Sequence, residues 1–203
     1  MCKGMFFVLS GTAGAGKDSV MSRLRVLEPR VHYCVTATTR PPRAGERDGE
    51  DYYFMAEDAL RDLLARGELL EHAEVYGRLY GVPLGPIRDA LARGDDVFAR
   101  VDVQGVRSIR LRVPAAISIF LYVPEADDLV ERLQLRDTES PDELDRRMAA
   151  ALDELSQRAE FDYAVPNPRG RLDEAVDDVR SIMHAERRRT HPRFAELDPD
   201  ERS

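Results

Sequence analysis

The chain has 203 residues, 43% hydrophobic and 33% charged, with 30 Lys+Arg against 38 Asp+Glu and a formal net charge of −8. That length suits one domain with a substantial core, and the acidic balance argues against general nucleic-acid or membrane-surface binding, which favours basic chains. Cys2 and Cys34 are the only cysteines, too few for a disulfide framework or a cysteine-based metal site. No apolar run reaches the roughly 18 residues of a membrane span, and the N-terminal run is too short for a signal peptide. The cytoplasm is the expected compartment.

Met5 to Leu9 is a short apolar run that suits a buried parallel strand. It leads into S-G-T-A-G-A-G-K-D-S, with glycines at 11, 14 and 16 and then Lys17. A helix is expected from Lys17 to about Leu27. Strand, glycine loop, lysine and helix form the context of a phosphate-binding P-loop. Glycine lets backbone N–H groups approach phosphate oxygens. The helix N-terminus adds unpaired donors and partial positive charge. Lysine adds a compact cation, and 3 and 17 are the only lysine positions in an arginine-rich chain. The expected ATP-binding set is Gly11, Thr12, Ala13, Gly14, Ala15, Gly16, Lys17, Asp18 and Ser19.

His32 to Ala37 is the next expected strand. Residues 38–54 hold Pro41, Pro42, Gly45 and Gly49, which forbid a continuous helix. Arg40 and Arg43 therefore lie on a loop, and forked guanidiniums suit a phosphate monoester. Glu57 to Arg66 reads as a helix, closed by Gly67. Glu68 to Tyr80 reads as a hairpin turning at Gly77-Arg78, with Glu71 inside an apolar stretch. Gly85 to Arg93 is a further short helix.

Val97 to Val103 is an expected core strand with Arg100 and Asp102 on one face. An acid late in such a strand is a position that serves Mg2+ in P-loop proteins. Gln104 to Arg112 suits a helix, and Ile117 to Val123 a buried strand. Ala126, Leu129, Val130 and Leu133 mark an amphipathic helix carrying Arg132 and Arg136. Ser140-Pro141-Asp142-Glu143 starts another, running to about Glu160, with Leu144, Met148, Leu152 and Leu155 as its buried stripe and Arg146 and Arg147 near its start. This helix pair is a candidate arginine lid. Phe161 to Val165 is the last strand, residues 172–183 form the last helix, and the polar tail beyond is expected to fray. Alternating strands and helices after a P-loop give an α/β fold: a P-loop NTPase-type parallel sheet flanked by helices, with the hairpin region as an insertion.

Several separated stretches resemble guanylate kinase: S-G-T-A-G-A-G-K, T-T-R-P-P-R-A-G-E-R-D-G-E-D-Y-Y-F, L-E-H-A-E-V-Y-G-R-L-Y-G, V-D-V-Q-G-V and E-R-L-Q-L-R-D-T-E-S-P-D-E-L-D-R-R-M. The resemblance runs from about Met5 to Glu186. It implies a core at 5–37 and 84–130, a β-rich GMP-binding subdomain at 38–83, a lid region at 131–160 and a closing strand and helix at 161–186. It implies ATP and GMP as substrates together with Mg2+, for which the carboxylates of Asp18 and Asp102 are the candidate ligands. Arg40, Arg43, Tyr52 and Tyr80 match the holders of the GMP phosphate. Glu71 matches the reader of guanine, with Thr36, Gly81 and Val82 around the base. Arg132, Arg136 and Arg147 match arginines around the ATP phosphates, and Asn167 the asparagine near adenine. Catalysis would fall to Lys17, Arg40, Arg136, Arg147 and Asp102, by in-line phosphoryl transfer.

Three positions depart from the family pattern. Asp18 replaces a Ser, Thr or small residue, Arg100 replaces an acid, and Val82 replaces a hydroxyl that contacts the base, removing about 1 kcal/mol of hydrogen bonding. The first two suggest a relocated charge, with Arg100 offsetting Asp18. G-K-D-S and Y-G-V are also similar to ribose 1,5-bisphosphate phosphokinase, although the chain keeps Glu71 and the T-T-R block. A non-catalytic guanylate-kinase-like scaffold module is the remaining alternative, set against an intact P-loop.

Overall fold

Successive residues of the first strand point into different helical layers. Phe7 and Leu9 pack with Val20, Met21, Leu24, Val176 and Val179. Phe6 and Val8 pack with Leu84, Ile87, Ala90, Val106 and Ile109. All four strand residues have no exposed surface. A strand buried on both faces needs a continuous apolar run, and each such side chain contributes about 2 kcal/mol of burial. In the computed structural model, which describes residues 3–75, 77–134 and 141–197, this run is the centre of the architecture.

The elements follow in order: β1 (Phe6–Gly11), α1 (Lys17–Leu27), β2 (His32–Tyr33), β3 (Ala37–Thr38), β4 (Tyr53–Phe54), α2 (Glu57–Ala65), β5 (Leu69–Val75), β6 (Arg78–Pro83), α3 (Leu84–Arg93), β7 (Val97–Arg100), α4 (Val103–Arg112), β8 (Ile117–Tyr122), α5 (Ala126–Gln134), α6 (Pro141–Ser156), a 3-10 turn (Gln157–Glu160), β9 (Tyr163–Pro166) and α7 (Leu172–Arg187). The main sheet has the order β2-β7-β1-β8-β9 and is parallel throughout. A second, four-stranded sheet has the order β4-β3-β6-β5. Among the described residues no helix is long and apolar enough to cross a membrane.

Four sequence expectations are corrected. The strand expected at His32–Ala37 is split: β2 pairs with β7 in the main sheet, and β3 pairs with β4 and β6 in the second. The chain crosses from one sheet to the other at residues 34–36. The strand expected through Val103 stops at Arg100, because the Asp102 carboxylate accepts a 2.7 Å bond from the Gly105 amide and caps α4. Arg100 and Asp102 therefore do not share a strand face. On α6, Leu152 is 55% exposed while Ala151 is buried. The inward stripe is Met148 and Ala151, packed on Leu129 and Leu133 of α5. Finally, the segment after α7 is docked through residues 193–197. The Ala195 amide donates to the Gly4 carbonyl at 2.9 Å, Ala195 and Leu197 pack against the core, and Arg193 bonds to Asp162 and to the buried Glu186. The expected Ser140 cap lies outside the described residues.

Candidate active site

The loop between β1 and α1 is shaped by glycine. Gly11, at φ 139, sits so close to β8 that a Cβ would lie 1.8 Å from the Leu121 carbonyl oxygen. Gly16, at φ 87, is the N-cap of α1, and a Cβ there would lie 2.7 Å from Nδ2 of Asn167. Both need positive φ and close approach, which only glycine combines without strain. Asn167 is 4% exposed and its amide donates to the Ala15 carbonyl at 2.7 Å, pinning the loop from the end of β9. Lys17 folds back over the loop, donating to the carbonyls of Gly11 at 2.5 Å and Thr12 at 3.0 Å.

Beside this loop lies a cavity of about 310 Å³ lined by Gly14, Gly16, Ser19, Arg132, Asn167 and Pro168. Arg132 is held at its edge by the Asn167 carbonyl at 2.9 Å and Asp128 at 3.1 Å. Arg147 lies on α6, half-buried. Arg136 lies outside the described residues.

The second sheet carries the other half. Arg40 is only 13% exposed at its side chain. Its two terminal nitrogens grip the two oxygens of Glu46 at 2.8 Å each, and its guanidinium stacks over Tyr52 at 5.1 Å and Phe54 at 5.7 Å. Tyr80 meets Tyr52 edge-on at 6.3 Å. Glu46 also accepts from the Arg43 amide at 2.7 Å, and chiefly through Arg40 its carboxyl is held down at about 2. Arg40, Tyr52 and Tyr80 thus form one cluster, while the Arg43 side chain is exposed. Residue type marks the arginines and tyrosines but not Glu46, whose role rests on its contacts with Arg40 and the Arg43 amide.

Glu71 owes its direction to a bulge. The β5–β6 register shifts between Leu69 and His72, and such a shift re-aims a side chain. Gly81 faces the bulge, where a Cβ would lie 2.8 Å from a Leu69 methyl and 3.2 Å from the Glu71 carbonyl. Burial, and after it the charge of Asp102, pushes the Glu71 carboxyl up to about 7. Asp102, expected beside the metal, therefore stands within electrostatic reach of Glu71. Val82 does not face a ligand: it is 2% exposed and packs with Leu70 and Leu84.

A cleft of about 390 Å³ separates the two halves, and Asp18, Arg25, Thr36, Arg47, Glu50 and Arg100 are among its lining residues. Asp18 and Arg100 are ion-paired at 2.6 Å. The donor chemistry for magnesium fits at Asp18, a hard carboxylate directly after the phosphate loop. At Asp102 it fits less well, since one oxygen caps α4. Among the described residues no group of three or more His, Cys, Asp or Glu could hold a metal. A P-loop magnesium ion needs no such cage, since it takes one or two carboxylates together with substrate phosphates.

A parallel sheet with a phosphate loop at its carboxyl edge, facing a smaller sheet across an arginine-lined cleft, defines a P-loop nucleotide-binding protein with a separate acceptor side. A family model for guanylate kinase matches residues 3–186. The chain is 43% identical over 189 residues to a guanylate kinase of Granulibacter bethesdensis, covering 93% of this chain and 87% of that protein. It is 44% identical over 194 residues to "Guanylate kinase 2, chloroplastic/mitochondrial" of Oryza sativa subsp. japonica, covering 95% and 68%. A crystal structure of guanylate kinase from Anaplasma phagocytophilum superposes with a TM-score of 0.71 at 27% identity, covering 96% and 91%. The chain belongs to the guanylate kinase family.

Proposed function

We propose that this enzyme transfers the γ-phosphoryl group of ATP to GMP, giving ADP and GDP. The observation that carries the reading is the acceptor side: Glu71 at the β5 bulge, within electrostatic reach of Asp102, near the Arg40–Tyr52–Tyr80 cluster. Guanine presents a ring N–H and an exocyclic amine side by side. Ionised carboxylates accept from both, whereas adenine lacks that donor pair and would leave them unpaired. The family's guanylate kinases support the same substrate pair.

In this reading Arg40, Tyr52 and Tyr80 hold the GMP phosphate, with Glu46 fixing the Arg40 fork before substrate arrives and the exposed Arg43 turning in to add a second guanidinium. Thr36 stands where the sheets meet and borders the base. The P-loop amides hold the ATP phosphates, and Lys17 turns from its own loop carbonyls to the β and γ groups. Arg132 and Arg147 approach those phosphates from the helix pair, and Arg136 belongs with them. Asn167 borders the adenine cavity. An oxygen of the GMP phosphate attacks the γ-phosphorus in line, and the bond to the β–γ bridging oxygen breaks. ADP departs with that electron pair while the cationic groups spread the charge. Magnesium, held by Asp18 and the phosphates, supplies charge neutralisation when bound.

A coupled ADP-release assay with ATP and Mg2+ tests the reading, comparing GMP, AMP and ribose 1,5-bisphosphate as acceptors. GMP-dependent turnover with AMP inert is expected. Turnover only with the sugar bisphosphate would overturn the role given to Glu71.

A further inference from the structure

Asp18 and Arg100 come from different elements and meet at the mouth of the phosphate loop. Asp18 is the second residue of α1, directly after Lys17. Arg100 ends β7, in register with Leu9 of β1. Nη1 of Arg100 lies 2.6 Å from Oδ1 of Asp18, with side chains 38% and 57% exposed. A pair this wet adds little stability, so its place calls for another reason. That reason is charge balance. An uncompensated Asp18 would repel a polyphosphate. An uncompensated Arg100 would repel a divalent cation arriving with it.

We infer that Arg100 is a positioning residue: its guanidinium pairs with the Asp18 carboxylate and competes with the nucleotide's divalent metal for it. The inference rests on the assignment of the P-loop to ATP. One oxygen of Asp18 is engaged by a singly charged, solvent-screened guanidinium, an interaction that a divalent ion backed by phosphate oxygens can displace. The signs follow. Removing Arg100 takes away one cation that competes for the carboxylate and deletes a repulsive charge, so metal binding tightens. Removing Asp18 weakens metal binding, and it frees Arg100 for phosphate, so metal-free nucleotide binding tightens.

The test measures Mn2+ affinity in the ADP complex by electron paramagnetic resonance, and ADP affinity in EDTA by calorimetry. Arg100→Gln should tighten Mn2+ roughly threefold to fivefold, the scale of an exposed ion pair. Arg100→Lys keeps the charge and should stay near wild type. Asp18→Ser should weaken Mn2+ about tenfold and tighten ADP in EDTA by a few-fold. Both side chains are solvent-exposed, and thermal melting checks that each variant folds. Unchanged or weaker Mn2+ binding in Arg100→Gln overturns the inference, as it would mean that Arg100 merely orients Asp18. Failure of the wild-type protein to bind ADP at all would instead overturn the nucleotide reading beneath it.

Discussion

The carboxylate of Glu154, on α6, accepts a 2.8 Å hydrogen bond from the backbone amide of Ala13 in the phosphate loop. The Ala13 side chain packs in the same place, against Val123, Leu129, Leu133 and Ala151. Loop and helix pair are thus joined by one polar and several apolar contacts, which couple α5 and α6 to the loop proposed to hold ATP. Glu154→Ala should raise KM for ATP about tenfold, the scale of one partly buried hydrogen bond to a charged group, with a much smaller effect on KM for GMP. Glu154→Gln keeps an acceptor oxygen and should recover most of the loss. Equal changes in both KM values would show that the contact is only structural.

Lys17 rests on the carbonyls of Gly11 and Thr12, and in the proposed role it turns from them to the ATP phosphates. Lys17→Met should lower kcat on the order of 10²–10³-fold, as expected for losing one preorganised charge-stabilising donor. Its melting temperature should stay close to wild type. Steady-state kinetics alongside calorimetric unfolding would check both halves.

Glu71 gives a pH signature of defined sign. Its carboxyl is pushed from 4.5 up to about 7 by burial and then by Asp102. The guanine contact proposed for Glu71 needs the ionised form, so kcat/KM for GMP should fall as pH drops below about 7. Glu71→Gln should be about 10–100-fold less efficient and lose that part of the profile. Stability runs the other way. The folded protein holds the proton more tightly than the unfolded chain, so this contribution is complete below about 4.5 and declines as pH rises to about 7. Glu71→Gln should therefore be more stable than wild type at pH 8, by about 1–2 kcal/mol after allowance for solvent screening. Thermal melts at pH 5 and pH 8 would test it.

The docked C-terminal segment makes a separate stability prediction. Glu186 has no exposed surface, and Arg193 reaches it at 2.6 Å. Arg193→Met should cost about 2–4 kcal/mol by leaving that carboxylate short of a partner, lowering the melting temperature by several degrees. Burial pushes Asp162 up, but the Ser118 amide, Arg193 and the Ser118 hydroxyl outweigh it and hold the carboxyl at about 2. Its stabilisation is present above about 3.8 and is lost as pH falls through about 2. The variant should show a weaker acid-dependent loss. An unchanged melting temperature would mean that the segment contributes nothing to the fold.

The site was legible in the sequence where chemistry is carried by residue type at close spacing. The glycine loop with Lys17 and the Arg40–Tyr52 block could be found that way, because phosphate binding restricts both backbone and side-chain choice. Glu154 was not legible: its role is a contact with Ala13, far away in sequence, and an acid on an amphipathic helix has no local mark of that contact. Leu152 lies off the packed stripe because apolar periodicity does not say how narrow that stripe is.

What the sequence determined by itself was the local physics: a strand buried on both faces, a phosphate loop, and an arginine-rich acceptor loop. Each depends on residues within one short stretch. Only the tertiary structure decided that residues 34–36 cross between two sheets, that Asp102 caps α4 within electrostatic reach of Glu71, and that Asp18 and Arg100 form a pair. Those are relations between segments distant in the chain. They are set by strand order and register, which backbone pairing and core packing choose together, and no single stretch of sequence records them.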